Sequence, residues 1–292
     1  MKLVTYRKNN QVCLGTMIED KVVDISNLHK DMNDLIKDGD LAIIEEYAKL
    51  QSNKAIKIEN IELLSPITSP IRNIICIGWN YLKHFEERYQ QHIELSDKPT
   101  VFTKATTTVA GPYRELVYSD EYTKMFDYEA ELAVVIGREG KGISEEEALD
   151  YIFGYMCAND LSARDIQQQH GGQWFMGKSI DESCPLGPWL VTKDEIEDIQ
   201  NLDITCKVNG EVVQKSNTSA MIFPVATIIS ELSMAMTLLP GDIILTGTPS
   251  GIGVKRKPQL LLGEGDVVEV EIENIGSIKN TIRIKKELRV RG

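Results

Sequence analysis

Carboxylates crowded at one strand end are the first candidates for chemistry. They lie in Phe126-Asp127-Tyr128-Glu129-Ala130-Glu131-Leu132-Ala133-Val134-Val135-Ile136-Gly137. From Leu132 onward the pattern is that of a buried strand, apolar, β-branched and closed by glycine. Strand side chains alternate faces, so Asp127, Glu129 and Glu131 share one face while Phe126, Tyr128 and Ala130 take the other. Adjacent carboxylates repel one another and resist burial. A hard divalent cation offsets both effects, because carboxylate oxygens are its preferred ligands. The competing reading is an acidic strand end fraying into solvent, and the strand alone leaves both open.

A second stretch, Tyr155-Met156-Cys157-Ala158-Asn159-Asp160-Leu161-Ser162-Ala163-Arg164-Asp165, runs apolar and then places Asp160 where a strand gives way to a turn. With Arg164 and Gln167 just beyond, this further carboxylate suits an octahedral Mg²⁺ or Mn²⁺ with open positions; the alternative is that Asp160 caps the turn. His84 and Glu87 are three apart, hence neighbours on a helical turn. A carboxylate beside an imidazole fixes its tautomer and raises its basicity, which suits a general base; a surface ion pair is the plainer alternative. Tyr89 to Lys98 is polar and reads as a candidate lid. Lys178, after the aromatic approach Trp174-Phe175-Met176-Gly177, is either a surface lysine or an inward-pointing cation. In Thr246-Gly247-Thr248-Pro249-Ser250-Gly251-Ile252-Gly253, backbone amides and the Thr248 hydroxyl suit a carboxylate, with a tight turn as the alternative. Neither Walker A lysine spacing nor G-x-G-x-x-G is present.

These residues need elements to position them. Leu3 to Tyr6 and Val12 to Ile18 read as strands, and Asp31 to Leu50 as two short helices broken at Asp38-Gly39-Asp40. Leu64 to Pro70 is a proline-punctuated connector, and the domain boundary is placed there. The expected organisation is a small N-terminal α/β domain over residues 1–70 and a catalytic domain over 71–292. Asn209-Gly210 predicts a type I′ hairpin, Ser144 with Glu147 a capping box, and Pro224 to Met236 an amphipathic helix. The fold class is α+β and β-rich. At 292 residues, with 42% hydrophobic and 26% charged residues, the chain can bury a sizeable core. Its net charge of −12 argues against nucleic acid or an anionic membrane surface, so an anionic substrate needs a metal, Lys or Arg close by. The five cysteines are scattered, with no C-x-x-C pair to suggest zinc or a redox dithiol. No apolar run reaches the length of a membrane span and no h-region opens the chain, so a cytoplasmic location is expected.

Six motifs together resemble the fumarylacetoacetate hydrolase family, in family order across roughly residues 71–290. They are Cys76-Ile77-Gly78-Trp79-Asn80-Tyr81-x-x-His84-x-x-Glu87, Asp127-Tyr128-Glu129-x-Glu131-Leu132-Ala133, Asn159-Asp160-Leu161-Ser162-Ala163-Arg164-Asp165, Gly177-Lys178-Ser179, Cys184-Pro185-Leu186-Gly187-Pro188 and Thr246-Gly247-Thr248-Pro249-Ser250-Gly251. The resemblance implies a mixed β-sandwich roll, a homodimer, and a Mg²⁺ or Mn²⁺ site with Glu129, Glu131 and Asp160 as ligands. It implies His84 and Glu87 as a catalytic dyad on a lid that orders with substrate. It makes Lys178 the cation beside the reacting oxygen, and Arg164, Gln167 and Thr248 contacts to the pyruvoyl end of the substrate. Trp79 departs from the basic or aliphatic residue of many relatives. The implied activity is hydrolysis of a C–C bond in an acylpyruvate-like 2-oxo acid. Oxaloacetate decarboxylation and isomerisation of a 2-hydroxyhepta-2,4-diene-1,7-dioate are alternatives on the same residues. A metal- or metabolite-binding β-module without catalysis is the alternative from another class.

Overall fold

The computed structural model describes residues 1–88 and 96–286, without the side chains of Phe85, Glu87 and Arg88. A twelve-stranded sheet forms its spine. The central strands run Lys2–Lys8, Cys184–Thr192, Ile152–Asn159, Ala130–Ile136, Ile243–Leu245, Ile74–Gly78, Thr100–Lys104. Most pairs are antiparallel, but Ile243–Leu245 runs parallel to Ile74–Gly78. A five-stranded sheet packs over it, in the order Glu211–Asn217, Asp203–Val208, Val267–Ile272, Gly276–Lys285, Leu116–Ser119. The class is α+β and sheet-rich, as the sequence indicates.

Strand Ala130–Ile136 shows why its sequence is apolar without interruption. Leu132, Val134 and Ile136 pack into the core between the two sheets, with Ile204, Val268 and Val270 from the opposite sheet. Ala133 and Val135 enter a second core on the other face, with Leu35, Ile36 and Ile44. Both faces are dry, so no polar position is tolerated beyond Glu131.

The segment before the proline connector contributes strands to the same large sheet. Lys2 pairs with Val191 and Leu3 with Leu190, and helices Met32–Asp38 and Leu41–Gln51 supply the second core. The first helix is capped by the Asp31 side chain on the Asp34 amide and ends at Gly39, whose φ of 73° suits glycine. Asn209 and Gly210 have φ of 52° and 84°, the two positive values a type I′ turn requires. Ser144 accepts from the Glu147 amide as the capping pattern requires, and the amphipathic helix spans Val225–Ala235. Among the described residues no helix is long and apolar enough to cross a membrane.

One expectation is corrected. The acidic stretch is not one continuous strand. Phe126–Asp127 pairs with Ser162–Ala163 in a separate two-stranded sheet, and Ala130–Ile136 pairs with Ile152–Asn159 in the large one. At the break, side chains replace the ladder. The Glu129 amide donates to Asn159 Oδ1 at 3.0 Å and the Ala130 amide to Gln214 Oε1 at 3.0 Å. The break turns Asp127 away from the other two carboxylates.

Candidate active site

Glu129 and Glu131 reach one point from the strand break, and Asp160 reaches it from the residue following strand Ile152–Asn159. The Asp160 amide bonds the Glu129 carbonyl at 2.9 Å, which fixes the two segments side by side. One oxygen from each of the three carboxylates lies within 4.8 Å of the others, and all three residues are buried.

Cations surround them. Lys178 Nζ bridges Glu129 Oε2 and Asp160 Oδ2, each at 2.7 Å. Arg164 Nη2 reaches Glu129 Oε1 at 2.7 Å while its Nε donates to Asp127 Oδ2 at 2.8 Å. Lys104, with no exposed surface, donates to Asp160 Oδ1 at 2.8 Å, to the Leu161 carbonyl at 3.1 Å and to Ser183 Oγ at 3.3 Å. Lys178 also stands 5.1 Å from the centroid of the Phe102 ring.

Glu131 is different. Its Oε2 accepts from the Gly247 amide at 2.6 Å, and among the described residues no cation forms an ion pair with it. Burial, then the charges of Asp160 and Glu129, push its pKa well above the usual carboxylate range. Burial also works against the charge on Glu129, but Lys178 and Arg164 outweigh it and hold that carboxyl at about 2. Burial disfavours the charge on Lys178 and Arg164 too, yet the acids around them prevail and both pKa values are raised.

The set fits a hard divalent cation. Its donors are all carboxylate oxygens, they converge, and the carboxylate without a protein cation is the one whose charge is least tolerated. Asp127 is no part of that set. Its oxygens accept from Arg164 Nε and from the amides of Gly253 and Val254 at 2.8 and 3.1 Å. The glycine-rich loop does hold carboxylates, as its amides suggested, but they are the chain's own Glu131 and Asp127.

A cavity of about 580 Å³ opens onto this cluster. Glu129, Glu131, Lys178, Arg164, Gln167, Thr248 and His84 all line it, so the sequence-predicted residues converge, with Asp160 packed behind. Gln167 Oε1 accepts from Arg164 Nη1 at 3.4 Å, and Thr248 Oγ1 accepts from Gln214 Nε2 at 2.9 Å. His84 is 4% exposed, on helix Leu82–Arg88, with its ring stacked on Trp79 at 5.1 Å. The Glu87 side chain, expected as its partner, lies outside the described residues, as does 89–95 of the candidate lid.

The turn carrying Trp79 and His84 is fixed by close packing. A Cβ on Gly78 would fall 2.7 Å from the Trp174 ring, and one on Gly247 2.7 Å from Asn80 Cβ. The Asn80 amide group bonds the carbonyls of Phe223 and Thr246 and the Phe223 amide, at 3.0, 2.7 and 2.7 Å. Trp79 itself adopts φ of 59°, rare for a bulky residue. Trp79, Trp174 and Phe102 make edge contacts at 5.5 and 5.1 Å, giving the cavity an aromatic wall. Sequence reasoning missed Lys104, Asp127 as the anchor of Arg164, and this wall.

Two sheets closing around an acidic cluster and a cation-lined cavity are the frame of a known enzyme family. The chain matches the fumarylacetoacetate (FAA) hydrolase C-terminal family model over residues 73–283, and it belongs to that family. It is 42% identical to the mitochondrial oxaloacetate tautomerase fahd2 of Xenopus laevis, over 97% of this chain and 90% of that protein. It is 39% identical to oxaloacetate tautomerase YisK of Bacillus subtilis (strain 168), over 97% of this chain and all (100%) of that one. Among solved structures, a fumarylacetoacetate hydrolase from psychrophilic Exiguobacterium antarcticum superposes with a TM-score of 0.84 at 34% identity, covering 98% of this chain and 100% of that one. Maleylpyruvate hydrolase from Sphingobium sp. SYK-6, in complex with manganese (II) ion and pyruvate, superposes at 0.80 with 27% identity, covering 98% and 100%.

Proposed function

We propose that this enzyme moves a proton at C3 of a 2-oxo dicarboxylic acid, interconverting the keto and enol forms of oxaloacetate. It does so with Mg²⁺ or Mn²⁺ held by Glu129, Glu131 and Asp160. The observation that carries the reading is the convergence of three buried carboxylates, one of them in no ion pair among the described residues, on a cavity that also presents Lys178 and His84. When bound, the cation supplies Lewis-acid stabilisation of the charge that develops on the 2-oxo group. Lys178 stays protonated and places a donor at the same charge. Arg164, Gln167 and Thr248 bind the 1-carboxylate end and orient C3. Toward the enol, the His84 imidazole takes the C3 proton while the 2-oxygen gains one from solvent. Toward the keto form, His84 gives a proton to C3 as the enol O–H proton leaves to solvent, and Trp79 stacked on its ring holds it in place.

The names of the relatives at 39–42% identity favour tautomerisation over the acylpyruvate hydrolysis expected from sequence. Hydrolysis stays as the second reading, because the maleylpyruvate hydrolase shares the fold over nearly the whole chain. The test follows decay of the enol absorbance of oxaloacetate with Mn²⁺ present, beside pyruvate release from an acylpyruvate. Acceleration of the first alone supports the proposal. Pyruvate release without enol decay replaces it with hydrolysis.

A further inference from the structure

Among the described residues three formal cations line the cavity: Arg164, Lys178 and Lys255. The first two are committed to Asp127, Glu129 and Asp160. Lys255 is exposed and makes no ion pair among the described residues. It sits where the cavity meets a neighbouring one of about 390 Å³, whose wall continues into Arg256 and Lys257 and includes Glu211. Three consecutive cations are a local reversal in a chain of net charge −12.

The position of Lys255 is determined by the same group that sets Arg164. Asp127 takes Arg164 Nε on one oxygen and receives the Gly253 and Val254 amides that open the turn Gly253–Lys255. The Lys255 amide closes the turn on the Ile252 carbonyl at 3.1 Å, and Arg256 Nη1 bonds the Val213 carbonyl at 3.1 Å. One carboxylate therefore ties an inner cation, already paired with protein acids, to an outer cation with no ion pair among the described residues.

We propose that Lys255 receives the distal carboxylate of a 2-oxo dicarboxylic acid, and so sets the preference for dianionic over monoanionic substrates. This rests on the 2-oxo acid reading above and adds a specificity residue to it. An exposed cation in the cavity wall, with no ion pair among the described residues, is what the second charge of such a diacid requires, since Arg164 and Lys178 serve its 1-carboxylate and 2-oxo group.

The experiment measures quenching of tryptophan fluorescence, Trp79 and Trp174 being in the cavity wall, by two ligands of equal chain length in Mn²⁺-loaded protein. Oxaloacetate carries the distal carboxylate and 2-oxobutanoate lacks it. Lys255→Ala is expected to weaken oxaloacetate about tenfold, the worth of a hydrogen bond to a charged group, and to change 2-oxobutanoate less than twofold. Lys255→Arg is expected to retain most of the affinity. If Lys255→Ala weakens both ligands equally, or neither, Lys255 does not read the distal carboxylate, while the 2-oxo acid reading stands. If the wild type binds neither ligand, the 2-oxo acid reading falls, and this proposal with it.

Discussion

Replacing Lys104 by methionine removes a charge that the core cannot replace. Lys104 and Asp160 have no exposed side-chain surface and meet at 2.8 Å. Taking one partner from a buried pair costs roughly 3–5 kcal/mol, because the other charge stays buried. Lys178 still holds the second Asp160 oxygen at 2.7 Å, so the lower end applies, about 3 kcal/mol. Unfolding entropy near 2.1 cal/mol/K per residue gives roughly 0.6 kcal/mol/K for this chain, so Tm should fall by about 5 °C. The assay is thermal unfolding followed by circular dichroism in chelator, so that no added cation masks the loss. The variant carrying both Lys104→Met and Asp160→Asn should lose less than the two single losses combined, since both charges leave together. A Tm within about 1 °C of wild type, against an expected fall of about 5 °C, would refute the reasoning: Asp160 would then depend on Lys178 alone.

Glu131→Gln should abolish the rise in Tm that Mn²⁺ gives the wild type without lowering Tm in chelator, because no protein ion pair is broken; thermal unfolding with and without Mn²⁺ checks it, and an unchanged Mn²⁺ effect removes Glu131 from the ligand set. His84→Ala should lower kcat for oxaloacetate enol decay by a factor of about 10²–10⁴ while binding, read by tryptophan quenching, persists; a loss below about threefold, far short of that worth, would show that His84 moves no proton. Asp165 accepts from Thr123 Oγ1, the Lys124 amide and the Ile166 amide. Burial raises its pKa but these bonds prevail and lower it. Its contribution is therefore present above the unfolded-state pKa of about 3.9 and is lost as pH falls through the lower folded value. Asp165→Asn should flatten the acid side of the stability profile in urea unfolding from pH 6 to pH 3; an unchanged profile contradicts the sign.

Glu129, Glu131 and Asp160 were legible because a charge at the edge of a both-faces-buried strand conflicts with its surroundings, and that conflict is visible locally. The hairpin, the capping box and the two early helices were legible for the same reason, each being set by residues within a few positions. Lys104 was not. A lysine ending Thr100–Lys104 reads as a solvated strand end, and its partners lie 56 to 79 residues on. The Asp127–Arg164 pair spans 37 residues, and the Asp127 bond to Gly253 spans 126. Such contacts depend on which strands become neighbours, as does the pairing of Lys2 with Val191. Strand alternation placed Asp127 with the two glutamates, but the bonds that the Glu129 and Ala130 amides donate to the Asn159 and Gln214 side chains interrupt the ladder.

The anchoring of the turn Gly253–Lys255 on Asp127 has an evolutionary consequence. Gly253 is locked, since a Cβ there would fall 1.9 Å from the Leu260 carbonyl and 2.6 Å from Asp127 Oδ1. The Gln259 side chain donates to the Val254 carbonyl at 3.0 Å and helps to hold the turn, but Lys255 and Lys257 face solvent and bear none of that constraint. Their side chains can be exchanged while the backbone path, and the inner charge network behind it, persists. A lineage can thus drift toward new substrates through exposed positions on a fixed turn, leaving the buried acid cluster outside the reach of those substitutions.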